Sequence, residues 1–182
     1  MAMETMRTIA KFLYCSSILE EKVANAYKSL AEKVENPLIR NLLLYISTDS
    51  LKHSIILRAM SENLVKKMKV EEEECKIILG NLWKRLIMLA EEETLKTERI
   101  EDKKLISLAD KMASFEDFVG EEYLVNLHLK VLRLMARELR VDLKGLEDIL
   151  EWTIEDERRH ELILTMIKKL FQNKNSSESY CE

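Results

Sequence analysis

The sequence predicts an all-α fold, an antiparallel four-helix bundle made of two helical hairpins joined by a helical connector. Only three glycines and one proline occur in 182 residues, so the chain has few of the residues that punctuate strands and tight turns. Hydrophobic residues make up 47% and charged residues 34%, and apolar side chains recur with the spacing of long amphipathic helices. We therefore expect one domain over residues 1–182.

The first hairpin is predicted over residues 5–65. Apolar residues recur at alternating spacings of three and four along its first helix, and again along its second. The predicted core face of the first helix contains Ile9, Leu13, Ser16, Glu20, Val23, Tyr27, Leu30 and Val34, and that of the second contains Ile39, Leu43, Ile46, Ser50, His53, Leu57, Met60 and Leu64. Asn36 and Pro37 interrupt the pattern; Asn is a favoured N-cap and Pro suits the first turn of the helix that follows.

The connector, residues 66–113, is predicted to form shorter helices. Its stretch "EEEECKIIL" begins with acidic residues that suit a helix N-terminus, and "LWKRLIMLAEEE" has an apolar face. Glu71–Glu74 are interpreted as a solvated face rather than a metal site. The large apolar residues are expected to pack against the bundle or against a second subunit of a homo-oligomer such as a dimer: Trp83, Leu86, Ile87 and Leu89.

The second hairpin is predicted over residues 114–172. Ser114 precedes two acidic residues that complement the dipole of a first turn, Glu116 and Asp117. The polar segment 140–144 turns the chain into the fourth helix, and residues 173–182 are predicted to form a polar tail. The predicted core face of the fourth helix contains Leu146, Leu150, Thr153, Glu157, His160, Leu164, Ile167 and Phe171.

Each long helix carries a Glu or His at a position that its periodicity assigns to the core. Buried carboxylates are costly unless they are paired or bind a cation, so these residues predict either a polar layer or a metal centre. The inward-facing Glu and His residues, with the one Ser on the core face of the second helix, are Glu20, Ser50, His53, Glu121, His128, Glu157 and His160.

The positions of these residues also predict a common height in the bundle. Glu20 and His53 lie equally far from the turn at residues 36–37, and Glu121 and His160 lie equally far from the second turn. At about 1.5 Å per residue, the first pair lies about 25 Å from its turn and the second pair about 29 Å from its own. Residues equidistant from a hairpin turn lie side by side, so the groups should meet near the middle of the bundle.

The two hairpins resemble each other in sequence. "DSLKHSIIL" at residues 49–57 and "DERRHELIL" at residues 156–164 each have an Asp four residues before a His. An offset of 107 residues aligns Asp49 with Asp156 and His53 with His160, and it also aligns Tyr45 with Trp152. The pattern indicates duplication of one helical hairpin.

On these residues the chain resembles the ferritin-like superfamily of di-iron carboxylate proteins, in particular its rubrerythrin-like branch. Such bundles use a Glu from each of two helices and a Glu-x-x-His from each of the other two. "EEKVANAY", which begins at Glu20 and ends at Tyr27, resembles the first-helix pattern, and "ERRH" is a full fourth-helix motif. The resemblance implies a metal centre whose ligands are Glu20, His53, Glu121, Glu157 and His160, with Tyr27 as a hydrogen-bonding partner behind them.

The second helix departs from the family pattern. "SLKH" has Ser50 where the family has a carboxylate that bridges two metals. Asp49 or His128 could contribute instead, and the centre could hold two metals, one metal or none. The chain also has no CxxC pair of the kind found in a rubredoxin-like domain.

A ligand set of carboxylates and imidazoles without thiolates suits iron, manganese or zinc more than a soft metal. The resemblance implies that ferrous iron reacts there with dioxygen or peroxide, giving iron oxidation, iron storage or peroxide reduction. The alternative is a non-catalytic bundle in which Glu and His form a polar layer and the connector mediates oligomerisation. Another bundle enzyme, such as a hydroxylase acting on an organic substrate, is a third possibility.

Other partners and compartments are disfavoured by composition. A net charge of −4 and a pI near 5.6 argue against nucleic-acid binding, and no apolar run approaches the 18 residues of a membrane span. Three cysteines without metal-type spacing, Cys15, Cys75 and Cys181, are expected to be single thiols. Such usage is typical of a reducing cytoplasm.

Overall fold

The computed structural model describes residues 2–84, 106–113 and 144–178, and it confirms the all-α class for them. Segments 81–84 and 106–113 are also helical. The predicted third helix and residues 85–105 lie outside the described residues. The other described helices are α1 (Ala2–Glu32), α2 (Pro37–Leu64), α3 (Glu72–Leu79) and α4 (Lys144–Glu178). Helices α1, α2 and α4 carry the residues of the site.

Helices α1 and α2 form the first hairpin, with its turn where the sequence predicts it. The Asn36 side chain caps α2, because its Oδ1 accepts hydrogen bonds from the backbone N–H groups of Leu38 (2.9 Å) and Ile39 (3.3 Å). Pro37 is the first residue of α2. The guanidinium of Arg40 donates to the carbonyl oxygen of Val34 over 2.8 and 3.1 Å, which satisfies a backbone acceptor just beyond α1.

Buried serines hold α2 against α1. Ser47 Oγ donates to the carbonyl of Ala24 over 2.8 Å, and Ser61 Oγ donates to the carbonyl of Ala10 over 2.6 Å. The two bonds show that α2 runs back along α1. Small side chains bonded to the facing backbone bring the helices close without leaving a buried hydroxyl unsatisfied.

The predicted core faces of these two helices are confirmed, with Leu64 only half-buried. The buried residues on the core face of α1 are Ile9, Leu13, Ser16, Glu20, Val23, Tyr27, Leu30 and, just beyond its end, Val34. Those of α2 are Ile39, Leu43, Ile46, Ser50, His53, Leu57 and Met60. The three-and-four spacing continues without a shift through Glu20 and His53. These two side chains are therefore buried together with the apolar residues of the same faces.

Helix α3 lies against α1 and is tied to it covalently. Cys15 and Cys75 form a disulfide, with 5.1 Å between their Cα atoms, and both are fully buried. The prediction of single thiols is therefore wrong for this pair, because α3 folds back on α1 and brings together cysteines 60 positions apart. The argument from these cysteines for a reducing cytoplasm loses its basis, and Cys181 lies outside the described residues.

The acidic start of α3 forms surface ion pairs, as a solvated face should. Glu74 pairs with Lys11 of α1, and Glu72 pairs with Lys22 over 3.5 Å. A positive φ of 53° at Gly80, which glycine adopts without strain, ends the helix. Trp83 is buried in the core of this chain, so the expected homo-oligomer rests on the remaining connector residues, Leu86, Ile87 and Leu89, which lie outside the described part.

Helix α4 continues to Glu178, beyond the predicted end of the hairpin at residue 172. Residues 173–177 contain no Gly or Pro to end it. Its predicted core face is confirmed at the positions whose burial is described: Leu150, Thr153, Glu157, His160, Leu164 and Ile167. Across the described segments, no helix is long and apolar enough to span the membrane.

Candidate metal centre

Three helices bring Glu20, His53 and Glu157 into one buried cluster. One potential ligand atom from each lies within 4.8 Å of the other two. The Nδ1 atom of His53 lies 3.8 Å from Oε2 of Glu20 and 3.0 Å from Oε1 of Glu157. The cluster joins α1, α2 and α4 at the common height that the sequence predicts for these residues.

Glu157 lies between the two histidines. Its Oε1 faces His53, and its Oε2 lies 3.4 Å from Nδ1 of His160, one turn along α4. The imidazole rings of His53 and His160 are 6.0 Å apart between centroids. One carboxylate therefore offers an oxygen towards each ring, so Glu157 would help to hold a cation together with either histidine.

The far side of each imidazole faces an aspartate of the other helix. His53 Nε2 lies 3.1 Å from Oδ2 of Asp156 on α4, and His160 Nε2 lies 3.4 Å from Oδ2 of Asp49 on α2. In a neutral imidazole whose Nε2 carries the hydrogen, Nε2 donates to the aspartate and Nδ1 keeps a lone pair that points into the cluster. The two aspartates thus select the tautomer that a metal ligand needs.

Burial and neighbouring charges shift the pKa values of the cluster. Burial and then the negative charge of Glu157 raise the pKa of Glu20. Burial alone would lower the pKa of His53, but the facing carboxylates of Glu157 and Glu20 outweigh it and raise the pKa to about 11. Without a metal, His53 is therefore a cation at neutral pH, with its extra proton between these two carboxylates. A metal ion would compete with that proton for the site.

The cluster also contains an unsatisfied buried atom. Nδ1 of His53 has no hydrogen-bond partner among the described residues, and its contacts with Glu157 and Glu20 are ion pairs over 3.0 and 3.8 Å. A buried polar atom in this state costs free energy. A cation between His53, Glu157 and Glu20 would remove that cost, and carboxylate and imidazole ligands are those that iron, manganese and zinc accept. The described residues therefore fit a metal ion.

The structure brings four of the predicted ligands together: Glu20, His53, Glu157 and His160. Glu121 and His128 lie outside the described residues. Asp49 lies on the outer side of His160, and Tyr27 is buried in the core. Ser50 is 1% exposed, at the α2 position that aligns with Glu157 in the repeat.

Three residues around the site were not predicted to take part in it. Asp156 contacts His53, and Lys52 and Arg159 form ion pairs with the aspartates behind the histidines. The sequence does carry a signal for them, because both halves of the repeat share an Asp, a basic residue and a His at the same spacing. That signal shows which residues recur, but not that each aspartate contacts the histidine of the other helix.

Comparisons with known proteins agree with this geometry. A family model described as Rubrerythrin matches residues 11–126, which include Glu20 and His53. The match ends before α4. Searches of curated proteins and of solved structures found no significant match.

Proposed function

The chain belongs to the rubrerythrin family, and on that premise we propose that its buried carboxylate–histidine cluster binds iron and oxidises ferrous iron or reduces peroxide. The observation that carries the proposal is the position of Glu157, whose two oxygens face Nδ1 of His53 and Nδ1 of His160. Glu20 lies on the His53 side of this carboxylate. Glu121 is proposed as the matching ligand on the His160 side.

Iron bound at such a site supplies electrons to dioxygen or peroxide, the proposed co-substrates. The ligand side chains are already oriented in the metal-free protein. Asp49 and Asp156 fix the histidines from behind, and the apolar residues one turn away on α2 and α4, Leu57 and Leu164, are buried and keep water from the ligands. Preorganised ligands in a dry environment need little rearrangement when the metal binds.

A second candidate function follows from Ser50. Where the family has a carboxylate, this chain has a small neutral side chain in the core. With one fewer negative charge, the cluster could serve as a hydrogen-bonded polar layer of a non-catalytic bundle, since His53 as a cation already compensates Glu20 and Glu157. The amount of metal bound per chain distinguishes the two functions, because only the first requires a bound metal.

Purified protein reconstituted with ferrous iron is expected to hold at least one iron per chain by plasma mass spectrometry. His160→Ala should weaken iron binding sharply, because it removes one of the two imidazoles that face Glu157. Glu155→Gln, at an exposed position of α4, is the control and should bind iron like the wild type, while His128→Ala tests whether the third histidine is also a ligand. Iron well below one per chain in the wild-type protein would favour the polar layer, and unchanged affinity in the His160 variant would exclude His160 as a ligand.

Ser50→Glu is expected to increase the metal bound per chain or the rate of ferrous iron oxidation, since it adds a carboxylate at the position that aligns with Glu157. The same change should destabilise the metal-free protein, because another acid is buried beside Glu20 and Glu157. Ser50→Gln, similar in size to Glu but uncharged, should increase neither metal content nor rate. If metal content and rate are both unchanged in Ser50→Glu, then the alignment of Ser50 with the bridging carboxylate is incorrect.

A further inference from the structure

A basic residue precedes each histidine of the repeat on the outer surface of the bundle. Lys52 comes before His53 and Arg159 before His160, and the offset of 107 residues aligns them. Their side chains are 53% and 48% exposed, whereas those of the aspartates they contact, Asp49 and Asp156, are only 8% and 15% exposed. Both cations therefore cover half-buried or buried carboxylates from the solvent side.

The two basic residues nevertheless make different contacts. Arg159 donates to Oδ1 of Asp156 over 2.5 Å and to the hydroxyl of Tyr45 over 3.4 Å. The residue that aligns with Tyr45 is Trp152, whose side chain has no oxygen to accept a hydrogen bond from Lys52. The two halves of the repeat thus differ in the hydrogen-bond partner that they offer to the basic residue.

Lys52 instead lies between the two aspartates. Its Nζ is 2.6 Å from Oδ1 of Asp49 and 3.5 Å from Oδ2 of Asp156. The two contacted oxygens are consequently no more than about 6 Å apart, the sum of the two contact distances, and like charges at that distance repel. The ammonium offsets that repulsion and restricts both carboxylates.

Each of these aspartates contacts a different histidine. Oδ2 of Asp156, the oxygen that Lys52 contacts, is also the oxygen 3.1 Å from Nε2 of His53. The second oxygen of Asp49, Oδ2, lies 3.4 Å from Nε2 of His160. One surface lysine is therefore linked through two carboxylates to both imidazoles of the centre.

We propose that Lys52 is a positioning residue shared by both histidines, holding Asp49 and Asp156 so that the two imidazoles keep their Nδ1 atoms towards Glu157. Arg159 acts on the His53 side alone, through Asp156. The role of Lys52 in metal binding rests on the proposed function. Its role in orienting the imidazoles concerns the metal-free protein and can be tested there.

The first experiment uses nitrogen-15 NMR of the metal-free protein, whose three histidines make assignment by His→Gln variants straightforward. Lys52→Met is expected to shift the Nε2 resonances of both His53 and His160. Arg159→Met should shift that of His53 only. Lys168→Met, which breaks a comparable 2.6 Å ion pair with Asp110 further along α4, should shift neither. If the Nε2 resonance of His160 is unchanged in Lys52→Met, Lys52 does not position both histidines.

The second experiment measures affinity for Co²⁺ and Zn²⁺ by competition with a chromophoric chelator, together with the visible spectrum of bound Co²⁺. Residues that orient metal ligands typically change affinity by about 10- to 100-fold. Lys52→Met is expected to lose about 10-fold and to alter the cobalt spectrum. Lys52→Arg should recover most of the affinity, and Lys168→Met should match the wild type.

The outcomes separate the two proposals. A wild-type protein that binds neither metal would contradict the proposed function, while the histidine resonances would still decide the positioning role. A wild-type protein that binds metal, with Lys52→Met equal to it in affinity and spectrum, would refute Lys52 as a positioning residue and leave the metal site intact. Circular dichroism of each variant establishes that the helices are retained.

Discussion

Glu157→Gln is expected to weaken metal binding by at least about 100-fold, more than the loss of a residue that only orients a ligand. The amide keeps the size of the side chain but removes the charge that faces both histidines. It also leaves an NH₂ group where an oxygen now faces one of the imidazole nitrogens. Chelator competition with Zn²⁺ or Co²⁺ measures the loss directly.

The helices should survive this change. His53 keeps Glu20 at 3.8 Å and Asp156 at 3.1 Å as compensating carboxylates. The pKa of Glu20, which burial and the charge of Glu157 raise, should move back towards its usual value. Glu155→Gln, at an exposed position on the same helix, is the matched control and should bind metal like the wild type. Equal affinity in Glu157→Gln would mean that Glu157 is not a ligand.

Loss of the Cys15–Cys75 disulfide is expected to lower the free energy of unfolding by about 4 kcal/mol, the chain-entropy value for a closed loop of this size. The bond joins residues 60 positions apart and ties α3 to α1. Domains are commonly stable by only about 5–15 kcal/mol, so the effect is large. Urea unfolding of Cys75→Ser followed by circular dichroism measures it.

Two controls distinguish loss of the bond from loss of packing. Cys181→Ser leaves both cysteines of the Cys15–Cys75 bond in place and should have the same free energy of unfolding as the wild type. Reductant should destabilise the wild-type protein towards the Cys75→Ser variant and leave that variant unchanged. A wild-type protein insensitive to reductant, with no free thiol appearing at Cys15 or Cys75, would show that the bond resists reduction in the folded state. Cys75→Ser as stable as the wild type would show that the bond contributes little.

The first hairpin illustrates how far the sequence determines local structure. Asn36 and Pro37 define the turn because a side-chain cap and a fixed φ act within a few residues. The apolar spacing then determines which face of each helix is buried, and this includes Glu20 and His53 at positions that composition alone would place at the surface. Their equal distance from the turn predicts their contact, which the structure has at 3.8 Å.

The fourth helix shows a limit of the same reasoning. Its buried face was predicted, whereas its continuation to Glu178 was not. A polar segment without Gly or Pro can extend a helix or fray, and the pattern of side chains does not distinguish the two.

The sequence by itself determined the helical class, the turn of the first hairpin and the polar residues that face the core, because periodicity and capping depend on near neighbours. Only the tertiary structure decided the Cys15–Cys75 bond, the contact of each histidine with the aspartate of the other helix, and the position of Lys52 between both aspartates. Apart from the local contact of Lys52 with Asp49, these contacts join residues 60 to 111 positions apart. They depend on the rotation and separation of packed helices, which the whole core sets together and no short stretch specifies.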